Sequence, residues 1–208
     1  MALSSCTASS WLGVLNMART ELILGGQKSG KSRRAELLAR DWLAQSPMHQ
    51  AVLIATAQPW DEEMAARIRR HQEDRVERVP GMQTVEEPLA LGEAITRHAD
   101  PHTLVVVDCL TLWLTNLLMP AEGMPNLDAA TRSQASPLAI ARLLSAIKLA
   151  QGPVVLVGNE IGLGVIPMGR ETRAFVDALG CLNQDVAQIC ARVTLMAAGL
   201  PLMLKGSA

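Results

Sequence analysis

Eight consecutive residues constrain this chain more than any others. Gly25-Gly26-Gln27-Lys28-Ser29-Gly30-Lys31-Ser32 fits the pattern GxxxxGK[ST]. The pattern has chemical meaning only between a strand and a helix, and both are legible. Glu21 to Leu24 is a short apolar run that reads as a buried strand. Helical periodicity follows through Arg34, Leu37, Leu38 and Trp42. Glycines let successive backbone amides turn inward and form a concave nest for an anion. The helix that follows adds its free N–H groups and its dipole. Residues Gly25 to Ser32 therefore bind nucleotide phosphates, with Lys31 directed at the β- and γ-phosphates and the Ser32 hydroxyl at Mg2+.

The rest of the chain alternates in the same way. A second strand is expected at Ala51–Ala55, closed by Thr56 and Gln58. Asp61 to Arg75 reads as a helix, acidic at its start and basic later, as the helix dipole favours. Pro80-Gly81 ends it, and a short helix is expected from Pro88 to His98. Thr103-Leu-Val-Val-Val-Asp108 is the clearest strand, followed by a helix through Leu118. Met119 to Pro137 is rich in Pro, Gly, Asn and Ser and reads as a loop. Then come a helix at Leu138–Ala150, a strand at Pro153–Gly158 and a helix at Arg170–Cys190. Two last strands, 192–197 and 201–205, flank a turn at Ala198-Gly199-Leu200. The expectation is an α/β fold: a mostly parallel sheet flanked by helices, with an antiparallel C-terminal hairpin.

Composition narrows the function classes. A chain of 208 residues, 49% apolar and 19% charged, is not disordered, and residues 19–208 read as a single domain. Residues 1–18 carry no Lys or Arg; they read as a disordered tail or a misplaced start, with Met17 as the initiator. A net charge of −1, one Phe and no Tyr disfavour nucleic acid as a partner. No apolar run reaches the length of about 18 residues that a membrane span needs; Val193–Leu204 is the nearest and contains Gly199 and Pro201. Cys6, Cys109, Cys181 and Cys190 have no CxxC spacing, which suits a reduced cytoplasmic protein without a zinc site or disulfide framework.

A magnesium-bound triphosphate needs a carboxylate. Asp108, at the end of the strongest strand, is the Walker B candidate for Mg2+, and Glu160, after the next strand, competes with it. No Asn-Lys-x-Asp motif occurs, and Cys-Leu-Thr rather than DxxG follows Asp108, so a GTPase switch is disfavoured. A small-molecule kinase and a non-enzymatic nucleotide-dependent binding module remain open on these features alone.

Further blocks occur in order: Ile54-Ala-Thr-Ala-Gln58, Asp61-Glu-Glu-Met-Ala-Ala-Arg-Ile-Arg-Arg-His71, Thr84-Val-Glu-Glu-Pro88, Val107-Asp-Cys-Leu-Thr-Leu-Trp-Leu-Thr-Asn116, Asn159-Glu-Ile-Gly-Leu-Gly-Val-Ile-Pro167 and Gly180-Cys-Leu-Asn-Gln184. With the phosphate loop, they resemble the bifunctional adenosylcobinamide kinase / adenosylcobinamide-phosphate guanylyltransferases of cobalamin biosynthesis, from about residue 20 to 205. The resemblance implies a RecA-like P-loop NTPase fold and a homo-oligomer, commonly a trimer. It also implies two reactions. ATP or GTP phosphorylates the hydroxyl of the aminopropanol arm of adenosylcobinamide. GMP from GTP is then joined to that phosphate through a guanylyl-histidine, giving adenosyl-GDP-cobinamide and pyrophosphate.

The resemblance places the covalent intermediate on His71 and nucleotide contacts on Thr56, Ala57, Gln58, Gln72, Glu73, Asp74, Arg75 and Glu86 or Glu87. Periodicity adds an independent expectation. Met64, Ile68, His71 and Arg75 fall on one helical stripe, so the imidazole shares the apolar face, and Arg75 is the arginine best placed by face to meet phosphate charge. A plain small-molecule P-loop kinase would explain Lys31, Ser32 and Asp108 but leave the block ending at His71 without a purpose.

Overall fold

The computed structural model describes residues 20–119 and 129–206. The tail expected at 1–18 lies outside them. Uninterrupted runs of β-branched and aliphatic residues form the central strands. Thr20–Gly25 (β1), Gln50–Ala55 (β2), Thr103–Asp108 (β4) and Val154–Val157 (β5) are almost wholly buried. Burial on both faces is the mark of a parallel sheet covered by helices.

Between the strands run α1 (Lys31–Leu43), α2 (Glu62–Arg78), α3 (Leu91–His98), α4 (Leu110–Leu118), α5 (Ala129–Leu149) and α6 (Arg170–Ile189). The sheet is completed by β3 (Gln83–Glu86), β6 (Arg192–Ala197) and β7 (Leu200–Lys205). Its order is β3-β2-β4-β5-β1-β6-β7. Every pairing is parallel except β6 with β7. Among the described residues no helix is long and apolar enough to cross a membrane.

Alternation along each strand builds two cores. Leu22, Val105 and Val107 face one side with Leu91, Trp113, Leu143 and Val186 from α3 to α6. Ile23, Leu104 and Val106 face the other with Ala35 and Ala39 of α1. Helix α2 differs from the rest, since its one buried residue is Arg75. It lies beside α1, and its Arg75 reaches Thr84 of β3.

Four expectations change. First, β3 had no signal in the sequence: Gln83-Thr-Val-Glu86 is short, polar and largely exposed, and its place comes from backbone pairing to β2. Second, residues 129–137 are not loop but the start of α5, with Pro137 inside the helix. The stretch Ala129-Ala-Thr-Arg-Ser-Gln-Ala135 is dominated by residues compatible with helix, and one Pro removes a single helical hydrogen bond. Residues 120–128 of that expected loop lie outside the described residues. Third, α3 begins at Leu91 rather than Pro88, because the Glu87 carboxylate accepts from the amides of Leu89 and Ala90 and holds them in a turn. The closing turn is tighter than expected. Ala198 and Gly199 both have positive φ (51° and 80°), the two-residue hairpin geometry that matches strand twist.

Candidate active site

All the parallel strands deliver their carboxyl ends to one edge of the sheet, where α/β proteins gather ligands. Strand β1 ends at Gly25, whose φ is 152°; a Cβ there would lie 2.5 Å from the Met196 carbonyl oxygen. The loop that follows is fastened from two sides. The amide of Glu160 donates to the Gly25 carbonyl (3.1 Å), and the amide of Gly199 donates to the Ser29 carbonyl (3.1 Å). Gly30, at φ 99°, opens α1, and no side chain caps that first turn. Its amides are therefore available to an anion.

Lys31 is only 8% exposed, and its Nζ donates to the Gly26 carbonyl at 2.6 Å, folding back over the loop. Burial pulls its pKa below the ordinary 10.5, with the Cys109 and Asp108 side chains opposing that shift and Arg67 adding to it. Lys31 is thus a partly desolvated ammonium beside the uncapped first turn of α1.

Of the two carboxylates the sequence offers, Asp108 stands at the end of β4, where its charge acts on Lys31. Glu160 is turned elsewhere: one oxygen accepts from the Gly162 amide (3.0 Å), the other from Asn183 Nδ2 (3.4 Å). Among the described residues no group of three or more His, Cys, Asp or Glu is arranged to hold a metal on its own.

Thr56 is fully buried and its hydroxyl is already used. It donates to the Cys109 carbonyl (2.7 Å) and accepts from the Cys109 amide (2.8 Å). The Thr56 amide donates to the Asp108 carbonyl (3.1 Å). This residue therefore braces the chain around Asp108. Asn116 of α4 extends the brace. Its Nδ2 donates to the carbonyls of Thr56 (2.8 Å) and Pro88 (3.0 Å). Sequence reading did not single it out, although an Asn in the largely apolar Leu110–Leu118 helix was a usable signal. Asn116→Leu strands two carbonyls, and we expect a loss of about 2–4 kcal/mol in stability. Thermal or denaturant unfolding measures it, and an unchanged midpoint would contradict this role.

Helix α2 starts at Asp61, whose carboxylate accepts from the Met64 amide (2.6 Å). The expected stripe is present: Met64, Ile68 and His71 are half-buried and Arg75 is buried. The arginines are placed otherwise than expected. Arg75 is 7% exposed, pressed against β3, with Nη1 donating to Thr84 Oγ1 (3.2 Å) and a buried Nε that has no partner. The arginine at the phosphate loop is Arg67, one turn before His71. With the Gln27 amide oxygen oriented toward it, Arg67 donates through Nη1 and Nη2 at 3.1 and 3.2 Å. At the other end of α2, Arg78 bridges Glu36 of α1 and Asp74, both at 2.9 Å. Gln72 is half-buried, and Glu73 and Glu86 are exposed. Glu87 is engaged in its turn.

Beyond Glu160 the chain is strongly apolar yet open. Leu163, Ile166, Met168 and Val165 are 77–95% exposed.

Comparison with known proteins follows this geometry. The family model described as cobinamide kinase / cobinamide phosphate guanyltransferase matches residues 21–204. A protein named bifunctional adenosylcobalamin biosynthesis protein CobP, from Pseudomonas aeruginosa, is 44% identical over 186 residues, 89% of this chain and 97% of that protein. Two named bifunctional adenosylcobalamin biosynthesis protein CobU, from Escherichia coli and Salmonella typhimurium, are 37% and 36% identical over 187 residues, each covering 88% of this chain and 98% of the relative. Among solved structures, the flagellar accessory protein FlaH from Methanocaldococcus jannaschii is similar at a TM-score of 0.46 and 11% identity, covering 90% of this chain and 78% of that one.

Proposed function

This chain belongs to the cobinamide kinase / cobinamide phosphate guanyltransferase family, and from that premise we propose how its residues divide the two reactions. It is a bifunctional transferase of adenosylcobalamin biosynthesis, and the plain kinase is the disfavoured alternative. Adenosylcobinamide is its acceptor, and ATP and GTP are its nucleotide substrates. The observation that carries the division of labour is the contact between Arg67 and Gln27, which lays the His71 helix against the phosphate loop.

In the first reaction the amides of Gly25 to Ser32 hold the triphosphate, and Lys31 leaves the Gly26 carbonyl for the β- and γ-oxygens. Ser32 and Asp108 would hold Mg2+, since one hydroxyl, one carboxylate and phosphate oxygens suit an ion that keeps several waters. When bound, that ion neutralises charge building on the phosphates. The acceptor hydroxyl oxygen bonds to the γ-phosphorus, the bond to the β–γ bridging oxygen breaks, and the nucleoside diphosphate departs.

In the second reaction a ring nitrogen of His71 bonds to the α-phosphorus of GTP and pyrophosphate leaves. A neutral imidazole is a competent nucleophile near pH 7. An oxygen of cobinamide phosphate then attacks the same phosphorus, the P–N bond breaks, and the imidazole is regenerated. Ala57, Gln58, Gln72, Glu73, Asp74 and Glu86 border the nucleotide, while Thr56 and Arg75 support it from behind. The enzyme acts in the cytoplasm as a homo-oligomer, a trimer by family resemblance. The exposed leucines of β7 (Leu200, Leu202, Leu204) supply apolar contact surface.

A pulse–chase experiment tests this reading. Protein incubated with GTP labelled at the α-phosphate should acquire acid-labile, alkali-stable label. Cobinamide phosphate should then remove that label as GDP-cobinamide. Label that forms but cannot be chased counts against the second reaction, and absence of label leaves only the kinase.

A further inference from the structure

The geometry points to Arg67 as a catalytic residue of phosphoryl transfer, the cationic group that grips the γ-phosphate while it moves between nucleotide and cobinamide. The inference rests on the kinase half of the proposed function and goes beyond it, because neither the phosphate-loop motif nor the stripe of α2 selects this side chain.

Tethering carries it, and the local charge balance supports it. Arg67 belongs to a helix that follows β2, yet both its terminal nitrogens reach Gln27, the third residue of the phosphate loop (3.1 and 3.2 Å). Glu63 lies four residues earlier on the same helix, the spacing at which a surface arginine readily pairs. Among the described residues, nevertheless, no carboxylate lies within ion-pair distance of Arg67. The guanidinium rests on a neutral amide instead.

The charge balance agrees with it. Arg67 is close enough to Lys31 for its charge to act on that ammonium, and Asp108 is the one carboxylate that acts on Lys31 with them. Two cations beside one anion, at the mouth of an uncapped helix, leave positive charge uncompensated. A polyphosphate supplies the missing anions. A guanidinium presents a fork of donors that matches two oxygens of one phosphoryl group, which an ammonium cannot do. Gln27 is then the resting partner, exchanged for the γ-phosphate when a triphosphate enters.

The step balances without a further reagent. Arg67 stays protonated throughout. The acceptor hydroxyl oxygen gains the γ-phosphorus and releases its proton to solvent, and the bridging oxygen leaves with the nucleoside diphosphate. Arg67 holds the equatorial oxygens, where charge is spread in the transition state.

The test uses the full chain and reads the transition state directly. ADP should bind the parent and Arg67→Ala with similar affinity. ADP with aluminium fluoride, which mimics the phosphoryl group in transfer, should bind Arg67→Ala about a hundred-fold more weakly than the parent. The kcat for phosphorylating cobinamide should fall by about the same factor, with KM for ATP nearly unchanged, and His71 labelling by GTP should fall by a clearly smaller factor. Arg67→Lys should recover only part of the loss. Equal weakening of ADP and of ADP with aluminium fluoride would overturn the inference, as would parallel loss of kinase turnover and His71 labelling. A parent that never phosphorylates cobinamide would overturn both this inference and the kinase reading beneath it. Should Arg67→Ala melt well below the parent, the same comparison is read in Arg67→Lys, which keeps the side-chain stem and charge.

Discussion

His71→Ala is expected to abolish guanylyl transfer, by about 10⁴-fold or more, while phosphorylation of cobinamide continues at close to the parental rate. The split follows from placement. His71 projects from the half-buried stripe of α2, whereas the groups proposed to hold the γ-phosphate belong to the loop after β1 and the end of β4. The loss is large because removing a nucleophile removes the covalent route entirely, and water or a direct attack on GTP has no comparable help. The side chain is partly exposed and, among the described residues, takes part in none of the hydrogen bonds that close the fold, so unfolding should change little. Rates measured separately with cobinamide plus ATP and with cobinamide phosphate plus GTP decide it. Guanylyl transfer persisting within ten-fold of the parent would contradict the assignment.

Lys31→Met is expected to lower kinase turnover by roughly 10³-fold and to leave the folded state as stable or more so. Both signs have one source. Burial disfavours the ammonium, so the folded-state pKa lies below the ordinary 10.5. The folded protein thus holds this proton less tightly than the unfolded chain does. Lys31 weakens the ligand-free fold at neutral pH, and that penalty fades as pH rises through the lowered pKa toward 10.5. Methionine keeps the length of the stem and removes the penalty, and with it the alkaline rise in stability. It also removes the cation proposed to meet the β- and γ-phosphates. Unfolding midpoints from neutral to alkaline pH, together with kcat for cobinamide phosphorylation, measure both effects. A stability loss at neutral pH would show that the Lys31 bond to Gly26 carries structural weight that this account does not give it.

Most of the fold was legible because its signals are local. Buried parallel strands are continuous apolar runs, and Thr103–Asp108 appears with the boundaries its sequence suggests. The phosphate loop is legible for the same reason, since its glycines answer to backbone geometry within a few residues. What escaped is what depends on partners far along the chain. Gln83–Glu86 becomes a strand only because β2 offers it an edge. Thr56 looks like a ligand-facing hydroxyl until the Cys109 backbone, 53 positions away, is seen to use it. Asn116 matters through carbonyls 60 and 28 positions distant. The arginines of α2 show the same limit. Periodicity correctly grouped Arg75 with the buried stripe, but only the packing against β3 reveals that this face is closed, and that Arg67, off the stripe, is the one at the loop.

The central claim is that this phosphate-loop protein forms a covalent bond between GMP and His71, and mapping the adduct tests it most directly. Cleavage after Arg70 and Arg75 releases His71-Gln-Glu-Asp-Arg75, a peptide with a single histidine. After incubation with GTP and digestion under alkaline conditions that preserve a phosphoramidate, that peptide should carry the mass of one guanylyl group, and cobinamide phosphate added before digestion should remove it. A guanylyl group found on any other peptide, or none on a protein that still makes GDP-cobinamide, would contradict the account.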